Sequence, residues 1–288
     1  MSQKSQLFII TQNESDHDTL AKILQAYQLN FYKEIQSAHE QILHQQPQLI
    51  IIDTHFGDES FDLCKIIRQN QVTASIPIIF IFEHITGNGI STMFNCGGSD
   101  YISKPFNQYE IISRVYIHTT YARQKKELDF LANYDPTTQT YNRRSFFKKG
   151  QHAIKFAQDK KISLALIVFN VATLFKINDN YGHFTGDKII LEFATILKKE
   201  FLEKSIIGRL NGNDFTIIVT NRSKDDVQAM IENIIKKADE IIIDTDKPVK
   251  IEYGLAQLFN KDETIDELFL EASLHLQESK IARSTRNY

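Results

Sequence analysis

Two short runs, LIIID at 49–53 and IPIIFIF at 76–82, restrict this chain more than any other feature, because almost every residue in them is apolar. A strand with one face in water alternates apolar and polar residues. An unbroken apolar strand needs cover on both faces, the condition of a parallel sheet flanked by helices. Strand-like runs at 7–10 (LFII), 29–35 (LNFYKEI) and 100–102 (DYI) are separated from these two by stretches of helical length, giving five strands in α/β order. A doubly wound sheet of this kind carries its working residues at the carboxyl ends of its strands, which puts Asp53 at a site edge. An aspartate there would equally serve to start a turn.

A long helix follows. Asn107 with Glu110 three residues on has the pattern of a capping box. Ile111, Ile112, Val115, Ala122, Leu128 and Leu131 then recur at three- and four-residue steps until Asp135-Pro136 ends the helix. Roughly 26 residues at 1.5 Å each reach about 39 Å, enough to leave one domain and enter the next. A surface helix followed by a flexible linker is the other reading. Beyond it, the pattern predicts a helix over 142–160, a strand at 162–171, a helix at about 185–201, a hairpin, a strand at 249–258 and an amphipathic helix at 265–282. The hairpin flanks Asn211-Gly212, a dipeptide suited to a two-residue turn in which both residues take positive φ. Strands interrupted by helices make this half a mixed α+β sheet, and no fixed-period repeat is visible.

The 288 residues suit two domains, placed at 1–123 and 135–288 with 124–134 as a helical linker. The net charge of −3 supplies no basic field for nucleic acid or anionic lipid, and the lysine pairs are spaced like solvent-facing helix charges. No apolar run approaches the length of a bilayer span, and the first residues lack a signal-peptide core. Cys64 and Cys96, the only 2 cysteines, stand alone in the sequence and imply no disulfide framework. These features predict a cytoplasmic protein. Histidines and cysteines show no metal-ligand spacing, and His39 with His44 reads as a solvated helix face.

The first half resembles the receiver domain of two-component response regulators, through PQLIIIDTHFGDESFDLCKIIR, IPIIFIF and GGSDYISKPF. The resemblance implies a flavodoxin-like fold with Asp53 as phosphoacceptor, Lys104 as the family lysine and Tyr101 as the aromatic that changes rotamer on activation. It also implies a sensor kinase or another signalling protein as partner. The acidic pair that holds the divalent cation in the family falls on Thr11 and Gln12, with Glu14 and Asp16 nearby but off the family positions. Phe82 stands where a hydroxyl residue senses the phosphoryl group. Since Mg²⁺ is usually held by one or two carboxylates besides phosphate, these changes imply weak or absent phosphorylation and a domain kept for dimerisation and docking.

The second half resembles the GGDEF domain of diguanylate cyclases, with its nucleotidyl-cyclase-like mixed sheet. DPTTQTYNRRSFF (135–147), FKINDNYGHFTGDKII (175–190), RLNGNDF (209–215) and EYGLA (252–256) carry the likeness. It implies a protein that joins two GTP molecules, one on each of two facing subunits, into cyclic di-GMP with the help of two divalent metals. The metal-binding side chains of the family fall on Asn170 and Asn213, so Mg²⁺ is implied as a cofactor only if the enzyme is active. Ala172 replaces a second aspartate, Asn211 replaces a glycine, and Asp214 keeps an acid as a vestige of the catalytic set. The family's guanine contacts fall on Asn178 and Asp187, and its phosphate-contacting lysine on Lys280, with Ser284 in place of an arginine and Arg283 and Arg286 nearby. Asn178-Asp179 and Asp187 would serve equally as helix caps. At the family's product-inhibition motif the chain has residues 202–205, LEKS, without the arginine or the carboxylate.

Transition-state stabilisation by metals is worth several kcal/mol, and each 1.36 kcal/mol is about a factor of ten in rate. Loss of both anionic ligands therefore predicts turnover lowered by many orders of magnitude. The expected protein is a degenerate receiver joined to a degenerate GGDEF domain, a homodimer along the 107–134 helix that works through protein contacts or bound GTP. An active diguanylate cyclase and an adaptor without nucleotide binding are its alternatives. The charge distribution agrees: residues 1–123 carry −4 and 124–288 carry +1, and the acids missing at Thr11, Gln12, Asn170, Ala172 and Asn213 all belong to the two metal sites.

Overall fold

The computed structural model describes residues 4–201, 205–241, 249–258 and 263–284, with side chains beyond 281 left aside. Two compact units divide the chain, Met1–Leu128 and Asp129–Tyr288. In the first, strands β1 (Gln6–Ile10), β2 (Gln28–Tyr32), β3 (Leu49–Asp53), β4 (Ile78–Phe82) and β5 (Asp100–Ser103) form a parallel sheet of order β2-β1-β3-β4-β5. Helices α1 (Glu14–Ile23), α2 (Ile35–Gln45), α3 (Asp58–Gln69), α4 (Gly87–Asn95) and α5 (Gln108–Asn133) surround it. The unbroken apolar strands are explained by two cores. Leu7 and Ile9 of β1 join Leu20, Leu24, Ile111 and Val115 on one face, while Phe8 and Ile10 join Ala38, Ile42, Leu63, Ile67 and Met93 on the other.

The second unit holds β6 (Tyr141–Asn142), α6 (Arg143–Lys160), β7 (Leu164–Val171), α7 (Leu174–Tyr181), α8 (His183–Glu200), β8 (Ile206–Asn211), β9 (Asp214–Thr220), α9 (Lys224–Asp239), β10 (Ile251–Gln257) and α10 (Ile265–Ser284). Its sheet has the order β10-β7-β9-β8-β6, antiparallel except between β6 and β8. Phe169, Phe193 and Phe215 centre the core toward α7, α8 and α9, and Leu166, Ile218, Leu268 and Ala272 the core toward α6 and α10. Gly254 permits the second: a β-carbon there would lie 1.9 Å from the Ala272 carbonyl oxygen, so β10 and α10 touch backbone to backbone.

Several expectations change. The strand expected to run to residue 35 stops at Tyr32, and Ile35 starts α2 instead. Asn107 caps α5 by accepting from the N–H groups of Tyr109 and Glu110, but the Glu110 carboxylate turns to Arg114 rather than completing the box. The helix α7 lies in a stretch for which no helix was expected. The hairpin forms one residue later than expected: Asn211 pairs with Asp214, Gly212 and Asn213 make the turn, and neither Asn211 nor Gly212 has positive φ. The Arg209 guanidinium fits this turn by donating to the Gly212 carbonyl at 2.7 Å, and the strand shifts register between Arg209 and Asn211.

Candidate functional site

In the first unit the carboxyl ends of β1, β3 and β5 bring Thr11, Asp53 and Lys104 together. Asp53 is buried, caps the short 3₁₀ turn Thr54–Phe56 by accepting from the His55 N–H, and receives the Thr11 hydroxyl at 3.1 Å. Lys104 lies 3.5 Å from Asp53 and only 2.5 Å from Asp16 of α1. Burial pulls the Lys104 pKa down, but the hydrogen bond to Asp16 and the charges of Asp53 and Asp16 outweigh it and hold the ammonium above its ordinary value. Thr11 thus brings a hydroxyl to Asp53, and Asp16, one of the two acids expected near the site though off the family positions, reaches in and anchors the lysine. Glu14 points elsewhere and pairs with Lys33 at 2.8 Å. Phe82 is buried beside Tyr101, ring centres 6.1 Å apart and edge to face. His44 is exposed, whereas His39 is half-buried in a groove with Phe56 and Leu63.

In the second unit the strand register gathers the candidate residues at one end of the sheet. Asn170 of β7 stands opposite Asp214 of β9 on one side and Glu252 of β10 on the other. Its amide donates to Asp214 Oδ1 at 2.6 Å, and the Asn211 amide donates to Asp214 Oδ2 at 3.2 Å. Asn213 in the turn reaches the Val171 carbonyl with its amide at 3.5 Å, while its own carbonyl accepts from the Val171 N–H at 2.9 Å. The donor set does not fit a divalent cation. Both oxygens of Asp214 and the neighbouring Val171 carbonyl already accept N–H groups from asparagines, and Glu252, the carboxylate on the other side of Asn170, lies 3.8 Å from the Lys280 ammonium. Among the described residues, no group of three or more His, Cys, Asp or Glu is placed to hold a metal ion. Ala172 is exposed and offers only its backbone.

The nucleotide candidates come from three helices. Asn178 is on α7 and Asp187, exposed, is on α8. Asn178 Oδ1 is buried without a hydrogen-bond partner, and it presses on Gly186, where a β-carbon would come within 1.9 Å of it. A buried carbonyl oxygen left open costs about 1–3 kcal/mol unless something donates to it. Lys280 of α10 lies 3.8 Å from Glu252 of β10, a contact that depends on the packing of α10 on β10 and that no sequence motif announced. Residues 202–204 of the inhibition-site stretch, and the side chains of Arg283, Ser284 and Arg286, lie outside the described residues.

Asp135 links two quoted motifs. It accepts from the Thr138 N–H at 2.8 Å and its hydroxyl at 2.7 Å, and it pairs with Arg209 at 3.2 Å. Burial raises the Asp135 pKa, but Thr138 and Arg209 together bring it below its ordinary value.

A receiver-type parallel sheet followed by a mixed nucleotidyl-cyclase-like sheet defines a two-domain signalling protein. The family model for the response regulator receiver domain matches residues 7–116, and that for the diguanylate cyclase GGDEF domain matches 132–286. The chain belongs to the GGDEF family, with a receiver domain fused ahead of the GGDEF domain. Similar relatives include the diguanylate cyclase DgcS of Shewanella oneidensis, 34% identical over 34% of this chain and 33% of its own. The bifunctional diguanylate cyclase/cyclic di-GMP phosphodiesterase MucR of Pseudomonas aeruginosa is 26% identical over 56% of this chain and 24% of its own. The first-named relative is thus spanned over about a third of its length and MucR over about a quarter. The coiled coil and GGDEF domain of DgcB from Caulobacter crescentus, solved in complex with c-di-GMP, superposes with a TM-score of 0.55. It is 18% identical, covering 61% of this chain and 94% of that one, a likeness of fold.

Proposed function

We propose that this protein is a receiver-GGDEF signalling protein that has lost metal-dependent cyclase chemistry, keeps guanine recognition, and acts by dimerisation and protein contacts. One observation carries this reading: the asparagines at 170, 211 and 213 turn their amide N–H groups onto the oxygens that a cation would need. Asn178 would receive an N–H of guanine on its open Oδ1, Asp187 would accept a second, and Lys280 would face phosphate. Asp214 is held as a structural acceptor rather than a metal ligand. In the receiver, Asp53 shares its oxygens with Thr11, Lys104 and the His55 N–H, which supports a docking domain over a phosphorylated one. No nucleic acid or membrane is required, and among the described residues no helix is long and apolar enough to cross a membrane. A cytoplasmic location fits this reading, with a sensor kinase or other signalling protein as partner.

The test is to incubate the purified chain with GTP and Mg²⁺ or Mn²⁺, assay cyclic di-GMP by chromatography, and titrate GTP by calorimetry with and without cation. Binding without product, equal in both titrations, is the expected result. Product above background restores the cyclase reading with Mg²⁺ as its cofactor. Absence of both leaves a pure adaptor. For the receiver, a small phosphodonor is expected to leave Asp53 unmodified by mass spectrometry.

A further inference from the structure

The two cysteines are separated by 31 residues and look isolated in sequence, but the fold brings them into contact. Both belong to the core on the α2, α3 and α4 face of the receiver sheet. Cys64 lies within α3 and Cys96 directly follows α4, and they are 1% and 4% exposed. The Cys64 thiol donates to the Cys96 carbonyl oxygen at 3.2 Å and lies within hydrogen-bonding reach of the Cys96 sulfur. Cys96 Sγ in turn donates to the Met93 carbonyl at 3.0 Å. The segment after Cys96 is pinned: Arg68 of α3 donates to the Gly97 carbonyl at 2.8 Å and to those of Ala74 and Ile76. α3 therefore holds both sides of the contact, through Cys64 itself and through Arg68 on the residue after Cys96.

We propose that Cys64 and Cys96 close an intramolecular disulfide on exposure to a peroxide, making the pair a reversible modification site of the receiver domain. The two thiols are unequal. The Cys64 S–H lowers the Cys96 pKa to about 7, whereas that same contact and burial raise Cys64. Cys96 is then the thiolate that attacks. Its sulfur takes one peroxide oxygen, the O–O bond breaks, and hydroxide leaves to become water, giving a sulfenic acid. The Cys64 sulfur attacks the sulfenic sulfur, the S–O bond breaks, and the departing hydroxide takes the Cys64 proton as a second water. Peroxide is reduced and the two thiols are oxidised. The bridge would tie α3 to the end of α4, a helix with Gly87 and Gly89 in its first turn and Met93 as its buried anchor.

The experiment treats the reduced full chain with a small excess of hydrogen peroxide, alkylates it in denaturant and maps it by mass spectrometry. The expected product is about 2 Da lighter than the reduced chain, has lost both alkylation sites together, and yields a Cys64 peptide joined to the Cys96 peptide. Dithiothreitol reverses all three. In Cys64→Ser, dimedone is expected to trap a sulfenic acid on Cys96. Full alkylation of both thiols after peroxide, or a bridge found only between two chains, overturns the proposal; the wild-type map decides even where the variant fails to fold.

Discussion

A carboxamide has the shape of a carboxylate but can donate a hydrogen bond, and at Asn170 it donates across the strands to Asp214. The amide gives Asp214 a donor where a carboxylate would give it a like charge directly opposite, with Glu252 on the other flank. Asn170→Asp should therefore cost about 1–3 kcal/mol in urea unfolding without divalent cation, and Mn²⁺ should recover part of that in the variant while leaving wild type unmoved. Equal cation responses in the two proteins would contradict the assignment. Asp135 provides a pH test. Its folded pKa is depressed, so its contribution is complete above the unfolded value of about 3.9 and is lost as pH falls through the folded pKa below it. Asp135→Asn should thus flatten stability measured between about pH 5 and pH 2. Both motifs containing this pair were legible in the sequence, but their contact was not, because Asp135 and Arg209 are 74 positions apart.

Among the elements, the continuous apolar runs identified β3 and β4, since burial on both faces leaves a compositional trace. The strand LALIVFNV is likewise buried along its length, although both its neighbours, β9 and β10, run antiparallel to it. The hairpin shows where local propensity yields. Asn-Gly favours a particular turn, yet the turn falls on Gly212-Asn213, with the Arg209 side chain bonded to the Gly212 carbonyl. Gly254 shows the reverse case, an element junction that a single methyl group would wedge apart. Gly254→Ala places carbon against the α10 backbone on both sides of Leu276 N and Ala272 O, which a side-chain rotation cannot relieve. Destabilisation of about 1–3 kcal/mol or more is expected, read as a lower urea midpoint with an unchanged slope.

At the scale of the whole molecule, α5 has apolar residues on more than the face that packs on the receiver sheet. Ile111 and Val115 are buried, while Ile117, Tyr121, Leu128 and Leu131 are half or more exposed and follow one another at three- and four-residue steps or their sum. That seam suits a second copy of the same helix, consistent with the proposed homodimer. Light scattering should give a dimer mass, and Ile117→Glu with Leu128→Glu should give a monomer with its two cores intact by circular dichroism. A monomer mass for wild type at every accessible concentration would remove the dimer from the proposal. What the sequence by itself determined is the pair of domains and the parallel and mixed sheets, because burial periodicity is a local property of the chain. The tertiary structure alone decided which side chains meet: Asp16 on Lys104, asparagine amides on Asp214, Glu252 beside Lys280, and two distant cysteines in contact. Each depends on strand register or helix packing, which sums weak interactions over the whole domain and leaves no mark at any one position.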